Sequence, residues 1–175
     1  MIIDTHAHLD FPDFKDDIDD VIKRAGEVGV EYIINVGTSV DTSVKSIELT
    51  KKYANIYASV GIHPNAASTV LADDWSRLEA LAGESKVVAI GETGLDYYRD
   101  RSKKEDQKRL FHKHLELAEK HNLPVIIHNR EASIDCLEIV RKYSGRVKGV
   151  IHCFAGSRED AKEFLELGFH IFNDI

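Results

Sequence analysis

The chain has 175 residues, 43% hydrophobic and 30% charged, with a formal net charge of −7. That length allows one domain with its own core, and the acidic balance excludes a globally basic surface. A nucleic-acid partner would have to be held by a local patch or by metal.

No apolar run approaches the length of a membrane span, so no membrane partner is expected. No N-terminal segment reads as a signal peptide. The two cysteines, Cys136 and Cys153, lack metal-type spacing and fit a reducing compartment, with the cytoplasm as the expected location. Cys153 is read as a packed small residue, not as a nucleophile.

Taken in order, short β-branched runs alternate with longer amphipathic stretches. Met1 to Asp4 is the first strand. Apolar residues at Phe14, Ile18, Val21, Ile22, Ala25 and Val28 follow helical spacing, with Asp13 as cap and Gly29 as stop. Tyr32 to Val36 is the second strand and Asp41 to about Ala54 the next helix. Ile56 to Gly61 is the third strand. It leads into Ile62-His63-Pro64-Asn65, a loop, because the residue before proline avoids the helical region. Asp73 or Asp74 opens a helix carrying Trp75, Leu78 and Leu81.

Val87 to Ile90 is the fourth strand, ending in Gly91-Glu92-Thr93-Gly94. Ser102 starts a long helix that ends near His121-Asn122. Pro124 to Ile127 is the fifth strand, Ala132 to Tyr143 a helix, Val147 to Ile151 the sixth strand and Arg158 to Leu167 a helix. Phe169 begins a seventh strand.

Six strand–helix units and the start of a seventh indicate a parallel sheet with crossover helices. Continuously apolar strands fit a sheet covered on both faces. Polar residues gather at the C-terminal ends of strands one, three, four, five and six, and no Gly-rich phosphate loop follows strand one. That favours a TIM-type (β/α)8 barrel, whose strand ends converge at one mouth, over an open doubly wound sheet.

His6 and His8 stand two apart at the exit of the first strand and therefore share a face. Two such imidazoles can chelate a divalent metal. Glu92, His128 and His152 stand at the exits of strands four, five and six. Four imidazoles and one carboxylate match two metals, each taking two histidines, with Glu92 as the bridge and a solvent hydroxide as nucleophile. His112, His114 and His121 fall in one helical stretch and are read as structural, and His170 is left open between a structural and a functional role.

The segments Asp4-Thr5-His6-Ala7-His8-Leu9-Asp10, Val60-Gly61-Ile62-His63-Pro64, Gly91-Glu92-Thr93-Gly94-Leu95-Asp96-Tyr97-Tyr98, Pro124-Val125-Ile126-Ile127-His128 and Ile151-His152-Cys153-Phe154-Ala155-Gly156-Ser157 occur in this order. In them the chain resembles the TatD-type metal-dependent deoxyribonucleases, within the amidohydrolase-like barrel superfamily. The resemblance implies a phosphodiesterase acting on DNA, on single strands or 3′ ends, as a 3′ exonuclease in DNA repair or degradation. It implies two divalent ions (Zn, Mg, Mn, Ni or Fe), one held by His6, His8 and Glu92, the other by Glu92, His128 and His152.

His63 resembles the family's substrate-contacting histidine, and a structural role beside Pro64 is equally open. Arg99, Arg101, Lys103, Lys104, Lys108 and Arg109 crowd the start of the helix after strand four, with Tyr97 and Tyr98 before them. Cations with aromatics suit single-stranded substrates, and a solvated helix face is the bland alternative. His63, Tyr97, Arg99 and Arg130 are the candidate substrate contacts.

A complete barrel of this type takes about 250 residues. The chain is therefore expected to be a single C-terminally truncated domain of about six and a half units without strand eight. Its open edges would invite self-association and its activity would be weak or absent. The family pattern places an aspartate at the exit of strand seven, and no residue, Asp174 included, is assigned to it. Two other functions stay open: a metal-dependent amide or ester hydrolase such as a D-aminoacyl-tRNA deacylase-like enzyme, and a non-catalytic metal-binding fragment.

Overall fold

A computed structural model describes residues 1–152 and 154–172; Cys153 and Asp174 lie outside the described residues. The strands are β1 (Ile2–Ala7), β2 (Val30–Val36), β3 (Ile56–Val60), β4 (Val87–Asp96), β5 (Val125–Arg130), β6 (Gly149–His152) and β7 (Phe169–Ile171). The helices between them are α1 (Ile18–Glu27), α2 (Val40–Lys52), α3 (Ala72–Leu81), α4 (Lys104–His121), α5 (Ser133–Arg141) and α6 (Arg158–Glu166). None among the described residues is long and apolar enough to cross a membrane.

All neighbouring strands pair in parallel, in the order β1-β2-β3-β4-β5-β6-β7. A doubly wound sheet reverses its strand order at a switch point, and this sheet never does. It also curls. In a flat sheet five strand spacings would put β1 about 24 Å from β6. Instead the rings of His6 on β1 and His152 on β6 stack with centroids 3.7 Å apart. The result is a parallel, barrel-type sheet, incomplete among the described residues.

The main core lies between the sheet and its outer helices, where Phe111, Leu115, Ile127, Ile151, Phe164 and Phe169 are fully or almost fully buried. A smaller cluster of Val36, Ala89 and Ile126, with Ile34 and Val150 against it, fills the concave side. Strand residues two apart share a face. Hence the alternation that turns Ile126 and Val150 inward brings His128 and His152 to the mouth.

Local chemistry sets the helix ends. Ser39 and Thr42 cap α2 reciprocally: Ser39 Oγ accepts from Thr42 N (3.2 Å) and Thr42 Oγ1 from Ser39 N (2.8 Å). Ser157 and Asp160 do the same for α6. Asn122, in the left-handed region at φ 52°, closes α4.

Several boundaries differ from the sequence expectation. The helix expected from Phe14 begins at Ile18, after a 3-10 turn over Pro12–Phe14. Phe14 still packs with Ile18, Val21 and Ile22 against Leu9 and Ile33, so the helical spacing marked burial across a break. The segment after β3 is a 3-10 helix, Pro64–Thr69, headed by an extended His63. Strand β4 does not stop at Ile90 but runs through Gly91-Glu92-Thr93-Gly94 to Asp96.

Gly91 (φ 146°) and Gly94 (φ 118°) make that run possible. A Cβ on Gly91 would stand 2.5 Å from the Ile126 carbonyl oxygen, and one on Gly94 would collide with that of His128. Ser102, expected to start α4, instead joins two loops: its hydroxyl donates to Asn65 O (2.9 Å) and accepts from Ser68 N (3.1 Å).

His114 pins the mouth from behind. Its Nε2 accepts the Ile62 N–H (3.0 Å), and its Nδ1 donates to the Leu110 carbonyl (2.9 Å). The ring is fully buried, edge-on to Trp75, and burial lowers its pKa to about 4. The unfolded chain, with histidine near 6.5, binds the proton more readily. The stability His114 contributes is therefore complete above pH 6.5 and is lost as pH falls toward 4. Between pH 7 and 4 the wild type should lose about 3 kcal/mol more than His114→Gln, so that their stability gap narrows by that amount. Urea unfolding of both proteins at several pH values measures it.

Candidate metal centre

Glu92, 4% exposed, is the hub of the mouth. Its Oε2 lies 3.7 Å from His6 Nε2 and 3.9 Å from His8 Nε2. Its Oε1 lies 3.0 Å from His128 Nδ1, 3.8 Å from His152 Nε2 and 3.9 Å from His63 Nε2. Burial pushes the Glu92 carboxyl up, but the His128 hydrogen bond and the imidazoles of His63 and His6 more than offset it and hold it at about 2.

The spacing suits ions. Nitrogen and oxygen ligands at 2.0–2.2 Å around a tetrahedral ion stand about 3.4 Å from each other. His6 Nε2 and His8 Nε2 are 3.2 Å apart, and both are under 4 Å from Glu92. Two groups have their ligand atoms within 4.8 Å of one another: His6, His8 and Glu92, and His63, Glu92 and His128. The donor set of imidazoles and one carboxylate therefore fits divalent metal.

The far side of each ring decides which nitrogen is available. His8 Nδ1 meets the Val36 carbonyl at 3.0 Å and must donate to it, which leaves the Nε2 lone pair facing His6 and Glu92. His128 has Nε2 3.3 Å from Asp96 Oδ2, so Nδ1 is the nitrogen turned to Glu92. His63 is reversed. Its Nδ1 accepts the Asn65 N–H (3.1 Å), so a neutral ring carries its hydrogen on Nε2, toward Glu92. Burial lowers its pKa to about 4, which keeps it neutral. Although His63 falls within the second compact group, it presents a hydrogen-bond donor and not a lone pair.

Two contributors carry no role in the sequence reading. Asp96, 1% exposed, touches His128 with Oδ2, while Oδ1 accepts the N–H groups of Tyr98 (3.1 Å) and Arg99 (2.9 Å). Buried Gln107 clamps the Asp96 backbone at both N–H and carbonyl. The signal was present in the chain: Asp96 is four residues beyond Glu92, an even step that shares its face in a strand. Buried Asn35 holds the segment after β1, accepting from Leu9 N and donating to Asp10 Oδ1 (2.9 Å) and Ser46 Oγ (2.7 Å).

The candidate substrate contacts separate. Tyr97 gives its hydroxyl to Asp135 (2.6 Å); burial and that carboxylate push the phenol far above its usual range. Arg130 lays its guanidinium 3.9 Å from the Tyr98 ring centre, whereas Arg99 is at 6.0 Å. In the basic stretch Lys108 pairs with Asp135 and Arg109 with Asp106, each at 2.6 Å, and Lys104 lies over Tyr97. His112 meets the Tyr143 hydroxyl at 3.0 Å, and His170 is exposed on β7.

A one-directional parallel sheet with a carboxylate ringed by imidazoles at its C-terminal rim defines a barrel protein of the metal-centre class. The chain belongs to the family of TatD related DNases, whose family model matches residues 3–172. It is 41% identical, over 98% of its length and 68% of the relative, to a Bacillus subtilis protein named uncharacterized metal-dependent hydrolase YabD. It is 35% identical, over 97% of its length and 65% of the relative, to a Cronobacter sakazakii protein named 3'-5' ssDNA/RNA exonuclease TatD.

Among solved structures it superposes on the TatD homologue YjjV of Escherichia coli K12 with a TM-score of 0.91 at 34% identity, covering 97% of this chain and 66% of that one. A Saccharomyces cerevisiae amidohydrolase at 22% identity, TM-score 0.82, shares the fold. The chain thus spans about two thirds of the length of these relatives.

Asp96→Asn keeps an oxygen for the two N–H groups but removes the charge behind His128. It should weaken divalent-ion binding about 10–100-fold, as measured by isothermal titration calorimetry on the folded variant.

Proposed function

We propose that the chain carries the metal centre of a divalent-metal-dependent phosphodiesterase that trims single-stranded nucleic acid, DNA above all, from a 3′ end. The observation that carries this reading is the division of labour at Glu92: Oε2 faces His6 and His8, and Oε1 faces His128 and His152. That division would suit divalent ions held by His6, His8 and Glu92 on one side and by Glu92, His128 and His152 on the other. Ions held there supply Lewis acidity toward a phosphodiester oxygen and lower the pKa of water. The name of the Cronobacter relative supports the choice of substrate.

The protein's own groups have distinct tasks. Glu92 stays anionic, which keeps both oxygens able to accept. The Val36 carbonyl holds the ring of His8 in its ligating orientation, and the Asp96 carboxylate lies 3.3 Å from His128 Nε2. His63 offers an Nε2–H beside Glu92, where a phosphate oxygen would accept it. Glu92 itself is almost fully buried, which limits the access of bulk water to the hub.

Glu92→Gln tests the reading. The amide cannot accept on both atoms, so metal content measured by mass spectrometry should fall. Release of nucleotides from single-stranded DNA with Mg, Mn or Zn should drop at least about a hundred-fold. Undiminished phosphodiesterase activity in that variant would overturn the assignment.

A further inference from the structure

Beside the metal centre lies a cleft of about 690 Å³ walled by Tyr97, Tyr98, Asn129, Arg130, Ile134 and Ala155 among others. We propose that this cleft is a nucleobase-stacking subsite, which takes the base adjoining the phosphodiester held at Glu92. The proposal rests on the phosphodiesterase reading and deepens it.

Position is the first argument. Arg130 is two residues beyond His128 on β5, so both side chains leave the same face, and their α-carbons are about 6.6 Å apart along the strand. That is within the reach of one nucleotide. On β4, Asp96 is in register with Arg130, which places the Tyr97-Tyr98 segment at the same level.

The platform is already built. Asp96 Oδ1 fixes the backbone at Tyr98 and Arg99, while its other oxygen lies 3.3 Å from His128 Nε2. The aromatic wall is therefore set relative to the centre by a single buried carboxylate. The Arg130 guanidinium lies 3.9 Å from the Tyr98 ring centre, a cation–π distance, yet Tyr98 remains 54% exposed. Stacking surface is still open beside a cation already in place.

The walls carry the chemistry a base needs. Ile134, 83% exposed, and Ala155 supply apolar surface that a phosphate would not need and a base would cover. Asp135 is satisfied by Lys108 and the Tyr97 hydroxyl, which limits its repulsion of a nucleic acid. Asn129, 2% exposed, donates from Nδ2 to Ser133 Oγ (3.1 Å), and its Oδ1 has no hydrogen-bond partner among the described residues. A base edge bearing an amine or ring N–H would complement that oxygen. Since every base has a π-face, the subsite would tolerate any sequence.

The test compares two phosphorothioate-linked, fluorescently tagged single strands of equal length, one of thymidines and one abasic. Anisotropy titration reads their affinity for the 175-residue protein. The wild type should bind the thymidine strand about tenfold more tightly than the abasic one. Tyr98→Ala should erase that difference and leave the abasic affinity unchanged, while Tyr98→Phe should retain it. Equal wild-type affinities for the two strands, or a Tyr98→Ala protein that still discriminates, would overturn the subsite and leave the phosphodiesterase reading standing. Failure to bind either strand would overturn both. Circular dichroism of each variant establishes that it is folded.

Discussion

A carboxylate buried beneath five imidazoles is the constraint around which this molecule is arranged. Burying an unpaired anion is costly, and a lone Glu92 at 4% exposure would take up a proton. The hydrogen bond from His128 and the flanking His63 and His6 reverse that tendency. Those rings come from β1, β5, β6 and the loop after β3, and they reach one carboxylate only because the sheet curls. The hub therefore exists only in the assembled sheet. Gly91 and Gly94 belong to the same constraint, since side chains there would push β4 off β5 at the point where Glu92 must reach inward.

Behind that cluster stands a second set of contacts that gives each ring a direction. The Val36 carbonyl and the Asn65 N–H each engage the nitrogen turned away from the hub, and the Asp96 carboxylate lies 3.3 Å from that of His128. The carbonyl behind His8 leaves a lone pair in front. The N–H behind His63 leaves a hydrogen in front. Proximity alone would class His63 with the ligands, and hydrogen-bond direction separates it from them.

Much of the architecture was legible in the chain. Alternating β-branched runs and amphipathic stretches gave the parallel topology, and polar residues at five strand ends gave the barrel and its mouth. What escaped has physical causes. A carboxylate between two glycines reads as a turn, so the continuation of β4 through Glu92 was hidden. Helical spacing at Phe14 reported contact with Leu9 and Ile33, and contact does not require an unbroken helix. Tyr97 and Tyr98 are adjacent and chemically alike. Only the positions of Asp135 and Arg130, brought in by later elements, decide that one ring is tied by its hydroxyl and the other faces a cation.

Asp96 shows how the two halves of the site depend on each other. One oxygen lies 3.3 Å from His128 Nε2 and the other gathers two N–H groups from the segment that carries Tyr98 and Arg99. Gln107, fully enclosed on α4, holds the backbone of the same residue from the opposite side. The Tyr98 segment and His128 therefore meet on the same buried carboxylate. Because ligands contributed by separate strands bind an ion only in the folded arrangement, occupancy would add its binding free energy to the curl of the sheet. The cleft wall, fastened to the same carboxylate, would share in that gain. Geometry at the hub and geometry at the cleft are in this sense one property of the fold.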